Sequence, residues 1–443
     1  MCGIFGYVGK GLTPGLLLDG IRRLEYRGYD SWGIALSGDH GIHVEKSGGR
    51  IPGELPAGKT GNGYLAGIAH TRWATHGAPT AENAHPHEDC GHTIAIAHNG
   101  IIENHKALRA RLVSLGHTFR SETDTESAVH LIEQYISEGL DLRTAFLAAL
   151  RSIEGTYGIA LVSSSAPGEI LLARRGSPLV IGQGDGFLVA ASDPSAIISH
   201  TRSVVYLDDN ECAVLRAAGF ESFRLDETPP VKAVEKLTFD LASVELGGYA
   251  HFMEKEIHEQ PQTILDAMRG RIRRAEGTIH LGGIDDSLLL RAKHIAIIAC
   301  GTSWHAGLIG KYLFEGMAGI PTEVCYAAEF RYASPALEPG TLVIAISQSG
   351  ETADTLAGIR EARRLGARVM GIVNVVGSTI ARECGQGVFL HAGPEIGVAS
   401  TKAFTSQVAV LSLLALQASR MRGMSLRDGL LFIDALTRLG DQA

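Results

Sequence analysis

The sequence opens Met1-Cys2-Gly3-Ile4-Phe5-Gly6. With Met1 removed, Cys2 carries a thiol and a free α-amine, whose reference pKa is about 7.7–8.0. Such a nucleophile needs no separate histidine, because its own amine can accept the thiol proton and later protonate a leaving group. The alternative is a small buried residue near an ordinary start. In Thr71-Arg72-Trp73-Ala74-Thr75-His76-Gly77, the Arg72 guanidinium can bind a carboxylate through two parallel hydrogen bonds. Asp124, in Glu122-Thr123-Asp124-Thr125-Glu126, can complement an ammonium, and the two together suit an α-amino acid. A helix N-cap is the commoner role of Asp at such a place. In His98-Asn99-Gly100, an Asn amide and a Gly N–H can face a developing oxyanion, each donor being worth roughly 2.7–4 kcal/mol in the transition state. Read alone, the same residues make an Asn-Gly turn.

Two later loops suit an anion. Cys300-Gly301-Thr302-Ser303 and Ser347-Gln348-Ser349-Gly350-Glu351-Thr352 each follow an apolar run and enter a helix. Hydroxyls and backbone N–H groups at a helix N-terminus favour a phosphate without a lysine. Neither loop ends Gly-Lys-Ser/Thr, which disfavours nucleotide hydrolysis. Serine-rich N-capping is the plainer reading of either loop, and a weaker one for two on adjacent strands. Cys300 reads best as a small residue ending a strand. His85, His87 and His98 lack a zinc spacing and read as hydrogen-bonding structural histidines, so no metal and no cofactor are expected.

These residues need strands and helices to hold them. At about 150 residues per domain, 443 residues imply two or three domains, and 45% hydrophobic against 20% charged residues supplies ample core. Strands are expected at 4–8, 65–69, 93–98, 158–162, 170–173 and 187–191, and helices at 125–137 and 142–153. Thr13-Pro14 reads as an N-cap and N1 pair opening another helix. A polar stretch from Phe223 to Gly248 holds the domain boundary. Beyond it, 263–275 reads as a helix, and strands are expected at 294–299, 341–346, 368–373 and 388–391. Runs such as Ile295–Ile298 and Leu342–Ile346 suit parallel strands covered on both faces. The expected fold class is α/β and α+β, with sheets between helical layers first and a doubly wound parallel sheet second.

The formal net charge of −8 has no basic stripe, which argues against nucleic acid as a partner. The apolar run Val408–Ala418 is shorter than the roughly 20 residues that span a bilayer, so no membrane role is expected. No secretory pattern opens the chain, and six cysteines form no CxxC pair, which points to a reducing cytosol.

Cys2-Gly3-Ile4, Glu25-Tyr26-Arg27-Gly28-Tyr29-Asp30-Ser31, the Thr71–Gly77 block, Glu82-Asn83-Ala84-His85-Pro86-His87, His98-Asn99-Gly100 and Thr123-Asp124-Thr125 resemble, in order, the N-terminal-nucleophile glutaminase domain of the glutamine–fructose-6-phosphate aminotransferases. Tyr249–Pro261, the two serine-rich loops and Glu395–Lys402 resemble the joining segment and sugar isomerase domain of the same family. The resemblance implies glutamine and fructose 6-phosphate as substrates, glucosamine 6-phosphate as product, and a homodimer. It implies Cys2 as nucleophile with Arg27 beside it, Asn99 and Gly100 as oxyanion hole, and Arg72, Thr75, His76 and Asp124 as the glutamine pocket. Trp73 would help gate the ammonia route. Thr302, Ser303, Ser347, Gln348, Ser349 and Thr352 would hold the sugar phosphate, with Val398 and Ser400 near the sugar.

The implied domains are a glutaminase at 2–220, a linker and connecting helix at 221–283, a first sugar isomerase domain at 284–425 and a tail at 426–443. Two departures stand out. Trp32 replaces the family's usual alanine. No second isomerase repeat is found, and with it are missing the family's acid/base glutamate, ring-opening histidine and Schiff-base lysine. The expectation is therefore a synthase incomplete in this chain, either an incomplete copy or a fragment whose partner supplies the rest, with a stand-alone glutaminase or a sugar-phosphate-binding regulator as alternatives.

Overall fold

The structure, a computed structural model, describes residues 2–52, 63–73, 77–237 and 241–443. It comprises two compact units, Met1–Leu241 and Ala242–Ala443. The division falls inside the polar 223–248 stretch. Among the described residues no helix is long and apolar enough to cross a membrane.

The first unit is built on two antiparallel sheets. Among the described residues, one has eight strands in the order Glu235–Lys236, Ser203–Tyr206, Val180–Gln183, Phe187–Ala191, Gly3–Gly9, Tyr64–Arg72, Ser31–Gly38 and Gly41–Gly48. The other has six, in the order Gly219–Arg224, Glu211–Arg216, Ala166–Arg175, Gly155–Ser163, Ile94–Ile102 and His87–Glu88. Alternation along the strands decides the layers. Ile4, Val8, Ala66 and Ile68 meet Ala95, Ala97, Ala160 and Val162 between the sheets. Ile94, Ile96, Ile159 and Leu161 face the other way, onto Val129, Ile132, Phe146 and Leu150 of the helices Thr125–Ser137 and Leu142–Ser152. Helix Pro14–Arg22 covers the far side of the first sheet with Leu17, Leu18 and Ile21. It starts as its sequence indicates, with Thr13 Oγ1 accepting the Leu16 N–H at 3.1 Å. The result is a helix–sheet–sheet–helix stack.

The second unit holds a five-stranded parallel sheet in the order Thr322–Tyr326, His294–Ala299, Thr341–Ser347, Arg368–Val373 and Gly387–Phe389. Ile295, Ile297, Leu342 and Ile344 pack with helix Lys402–Met421 on one face. Ala296, Ile298, Val343 and Ala345 pack with Phe330, Leu356, Ile359 and Ile380 on the other. Both faces are covered, as continuous apolar strands require.

The helix expected at 263–275 instead runs Phe252–Met268, and Ile272–Arg273 pairs with Thr278–Ile279 where that expectation ends. Pro261 lies inside this helix and cannot donate to the Ile257 carbonyl; the Gln260 side-chain amide donates to that carbonyl at 3.1 Å in its place. Residues 426–443 form the helices Leu426–Thr437 and Leu439–Gln442, and Ile433 and Leu436 join the core.

Candidate functional site

Cys2 sits at the head of the central strand Gly3–Gly9, where pairing of Gly3 with Thr71 sets it beside the end of Tyr64–Arg72. The Trp73 N–H donates to Cys2 Sγ at 3.3 Å. The Cys2 carbonyl accepts from Arg27 Nε at 3.2 Å and from Asn99 Nδ2 at 3.1 Å. Arg27 Nη1 in turn pairs with Asp193 Oδ2 at 3.2 Å. Burial pushes the Cys2 thiol above its ordinary value, against the Trp73 N–H and the charges of Arg72 and Arg27.

The loop carrying Arg27 is pressed against this strand end. Thr71 Oγ1 donates to the Gly28 carbonyl, and the Asp30 N–H donates to the Arg72 carbonyl at 2.9 Å. A Cβ on Gly28 would lie 2.6 Å from the Arg72 carbonyl carbon and the Trp73 nitrogen, so only glycine permits the approach. Trp32, buried in Ser31–Gly38 opposite Thr71, packs within the sheet. Trp73 is 43% exposed, edge-on to Tyr29 at 5.7 Å.

Asn99-Gly100 is not a turn. Both residues lie within strand Ile94–Ile102, paired with Gly158 and Tyr157. Gly100 has φ +136°, and a Cβ there would approach the Thr156 oxygen to 2.1 Å, so the position demands glycine. The Asn99 amide is oriented from behind by His70, whose Nε2 lies 3.0 Å from Asn99 Oδ1 and 3.1 Å from the His98 carbonyl. Two acceptors fix a proton on that nitrogen, turning the Asn99 NH2 toward Cys2. Burial lowers His70 to a pKa of about 3, so it stays neutral. The sequence reading missed His70; its only signal is its place two residues before Arg72.

Asp124 stands at the N-terminus of helix Thr125–Ser137 but makes no side-chain cap. Its Oδ2 accepts the Ile102 N–H at 2.7 Å, tying the helix start to the strand of Asn99. Arg72 Nη1 donates to the Ala78 carbonyl at 3.2 Å, and burial lowers its pKa. Thr75 and His76 lie outside the described residues. His98 Nδ1 meets Thr125 Oγ1 at 2.8 Å, His87 Nε2 meets Thr123 Oγ1 at 2.9 Å, and the His85 ring lies 4.4 Å from that of His70. The first unit thus gathers Cys2, Arg27, Trp73 and Asn99, with Arg72 and Asp124 on the flanking strand and helix ends.

In the second unit the chain passes from strand His294–Ala299 outward to Thr322–Tyr326 on one side and then to Thr341–Ser347 on the other. The switch point, where open α/β sheets take their ligands, lies between the carboxyl ends of His294–Ala299 and Thr341–Ser347. Both serine-rich loops leave from there. Cys300 opens helix Gly301–Leu313, and its Sγ lies 3.8 Å from Thr355 Oγ1 on the helix after the second loop. Thr302 is exposed, whereas Ser303 is buried, with its Oγ accepting from Gln407 Nε2 at 2.9 Å. Ser347 Oγ accepts the Gly350 N–H at 3.0 Å and lies 3.0 Å from Thr352 Oγ1; Ser349 Oγ accepts the Glu351 N–H at 3.2 Å. Gln348 is half-buried.

The 395–400 loop is held from inside. Glu395 accepts from Ser400 Oγ at 2.8 Å and from the Thr401 N–H at 2.9 Å, while Glu256 accepts the Gly397 N–H at 3.0 Å. Val398 is 87% exposed. A cavity of about 380 Å³ beside edge strand Gly387–Phe389, lined by Arg271, Phe389 and His391, shares no residue with either loop.

Residues 70–199 match the family described as glutamine amidotransferase domain, and residues 288–417 match the SIS domain family. The chain is 51% identical over 449 residues to the glutamine–fructose-6-phosphate aminotransferase (isomerizing) of Chlorobaculum tepidum, covering 100% of this chain and 73% of that protein. It is 46% identical to the same-named protein of Methanosarcina mazei, covering 96% of this chain and 70% of that one. A solved C-terminal domain of glucosamine-fructose-6-phosphate aminotransferase from Francisella tularensis aligns with TM-score 0.42 and 37% identity over 44% of this chain and 56% of its own. An antiparallel unit led by Cys2, a parallel unit with two serine-rich loops at its switch point, and relatives about half identical agree: the chain belongs to the glutamine–fructose-6-phosphate aminotransferase (isomerizing) family.

Proposed function

We propose that the first unit hydrolyses glutamine at Cys2 and that the ammonia passes to fructose 6-phosphate bound by the second unit, giving glucosamine 6-phosphate. The observation that carries this is the setting of Cys2, a thiol accepting the Trp73 N–H at 3.3 Å beside an Asn99 amide that His70 orients. With Met1 removed, the α-amine of Cys2 takes the thiol proton as Sγ attacks the amide carbon. Asn99 Nδ2 and the Gly100 N–H hold the oxyanion. The C–N bond then breaks, the proton passes to the leaving nitrogen, and ammonia departs from a thioester. Water adds to the thioester, releasing glutamate and restoring the thiol.

Arg72, Thr75, His76 and Asp124 hold the substrate's α-carboxylate and α-ammonium, and Trp73 gates the departing ammonia. The sugar phosphate lies on Thr302, Ser303, Ser347, Gln348, Ser349 and Thr352, with Val398 and Ser400 near the sugar and the helix N-termini supplying positive potential. The homodimer and the cytosolic setting that the resemblance implies belong to the same proposal.

The test is an assay of glutamate release and of glucosamine 6-phosphate, with and without fructose 6-phosphate. Glutamate release that Cys2→Ala abolishes supports the hydrolytic half, and aminated product supports the whole. Glutamate without product reduces the activity to a glutaminase. Fructose 6-phosphate binding without glutamate release, unaffected by Cys2→Ala, leaves a sugar-phosphate-binding protein.

A further inference from the structure

Away from the nucleophile, the first unit brings four metal-ligating side chains to one point. Cys90 follows the short strand His87–Glu88, His117 follows helix His105–Ser114, and His130 and Glu133 stand one turn apart on helix Thr125–Ser137. Cys90 Sγ lies 3.8 Å from His117 Nδ1 and 3.7 Å from His130 Nδ1. Glu133 Oε2 lies 2.8 Å from His117 Nδ1 and 2.9 Å from His130 Nδ1, and all four donor atoms fall within 4.8 Å of one another. Zinc bonds of about 2.3 Å to sulfur and 2.0–2.1 Å to nitrogen in a tetrahedron give S–N edges of roughly 3.6 Å and N–O edges of roughly 3.3 Å. The two sulfur–histidine edges are close to this, the two Glu133–histidine edges need to open by about half an ångström, and the remaining edges lie within 4.8 Å, so small side-chain rotations close the tetrahedron.

The surroundings orient these donors. His117 turns its other nitrogen to Gln134 Oε1 at 2.9 Å, and His130 Nε2 faces Glu126 Oε1 at 3.6 Å. Glu133 Oε1 accepts the Cys90 N–H at 3.1 Å, and Cys90 Sγ accepts the Thr118 N–H at 3.4 Å. Metal-bound histidines carry an outer partner of the kind His117 has in Gln134, which fixes the tautomer and ring angle.

We propose that Cys90, His117, His130 and Glu133 form a closed tetrahedral site for a divalent transition metal, zinc by its donor set. One thiolate and one carboxylate neutralise the ion, and the soft sulfur with two imidazoles excludes calcium and magnesium. Four protein ligands leave no open position, so the ion is structural. It fastens helix Thr125–Ser137 to the Cys90 turn and to the chain at His117. The helix begins beside Asp124, whose carboxylate holds the Ile102 N–H on the strand of Asn99, so the metal braces the nucleophile's scaffold without touching substrate.

The experiment loads the metal-stripped full chain with zinc, removes excess, and measures metal content and X-ray absorption. One zinc per chain is expected, with one sulfur at about 2.3 Å and lighter ligands at about 2.0–2.1 Å. Gln134→Ala, which removes only the outer partner, should weaken zinc about 10–100-fold, and Cys90→Ser should lose it more completely. A Cys2→Ala chain should keep it. Zinc retained undiminished by Cys90→Ser, or a wild-type chain that binds none, overturns the proposal. Should Cys90→Ser not fold, cobalt decides on the wild-type chain: a thiolate-to-cobalt charge-transfer band that survives Cys2→Ala supports the site, and its absence overturns it.

Discussion

The two units handle polar chemistry in opposite ways. Around Cys2 the first unit buries ionisable groups, with a thiol pushed up by desolvation, the Arg27–Asp193 ion pair and a neutral His70. Around its two loops the second unit relies on small hydroxyls that bond their own backbone, as Ser347 does with Gly350. Making and breaking a C–N bond requires groups whose proton affinity the protein sets. Holding a dianion requires only oriented dipoles at a switch point. On the proposed function, amide hydrolysis therefore falls to the first unit and capture of the sugar phosphate to the second.

The strongest way to break that division is Cys2→Ala, which should abolish glutamate release and leave fructose 6-phosphate affinity unchanged by calorimetry. Asn99→Ala comes next, with a loss of roughly 2.7–4 kcal/mol of transition-state stabilisation, read as a drop of about 10²–10³ in glutaminase kcat. Ser347→Ala should act on the other side only. Losing a hydrogen bond to a charged group costs about 1.5–3 kcal/mol, or roughly 10–100-fold in sugar-phosphate Kd, with glutaminase kcat unmoved. His70→Phe keeps a ring but removes the donor to Asn99. A net hydrogen bond of about 0.5–1.5 kcal/mol predicts a fall of up to about tenfold in kcat, with KM for glutamine held.

The smallest effect is on acid stability. Burial holds His70 at about 3, and it lowers His85 and His98 as well. A histidine whose folded pKa is depressed stabilises the fold above its unfolded value of about 6.5, and that contribution is lost as pH falls toward the folded value. Hydrogen exchange should therefore show the strands of His70 and His98 losing protection between about pH 6.5 and pH 4, ahead of the parallel sheet of the second unit. Equal loss in both units would remove the electrostatic distinction.

The parallel sheet was the most legible part of the sequence. Runs such as Ile295–Ile298 declare strands covered on both faces, and strands His294–Ala299 and Arg368–Val373 fall at the expected residues. The hairpin Ser31–Gly38 and Gly41–Gly48 was not read, because glycines and mixed polar residues blur its alternation. The helix Phe252–Met268 starts eleven residues before the expected 263–275 and carries Pro261 inside it, where Gln260 supplies the donor that proline lacks. At the site, Cys2, Arg27 and Asn99 could be named from motifs, yet Asn99-Gly100 reads locally as a turn and proves to be strand. His70 and the Cys90 cluster escape a linear reading because their partners are assembled only by sheet pairing and helix packing.

Glutamine hydrolysis rests on one thiol. The direct measurement is intact-mass and peptide analysis of the chain treated with an electrophilic glutamine analogue, with residual glutamate release followed in parallel. A single adduct on Cys2 is expected, formed in step with loss of activity and prevented by glutamine. An adduct elsewhere, or activity that persists once Cys2 is fully modified, would contradict it.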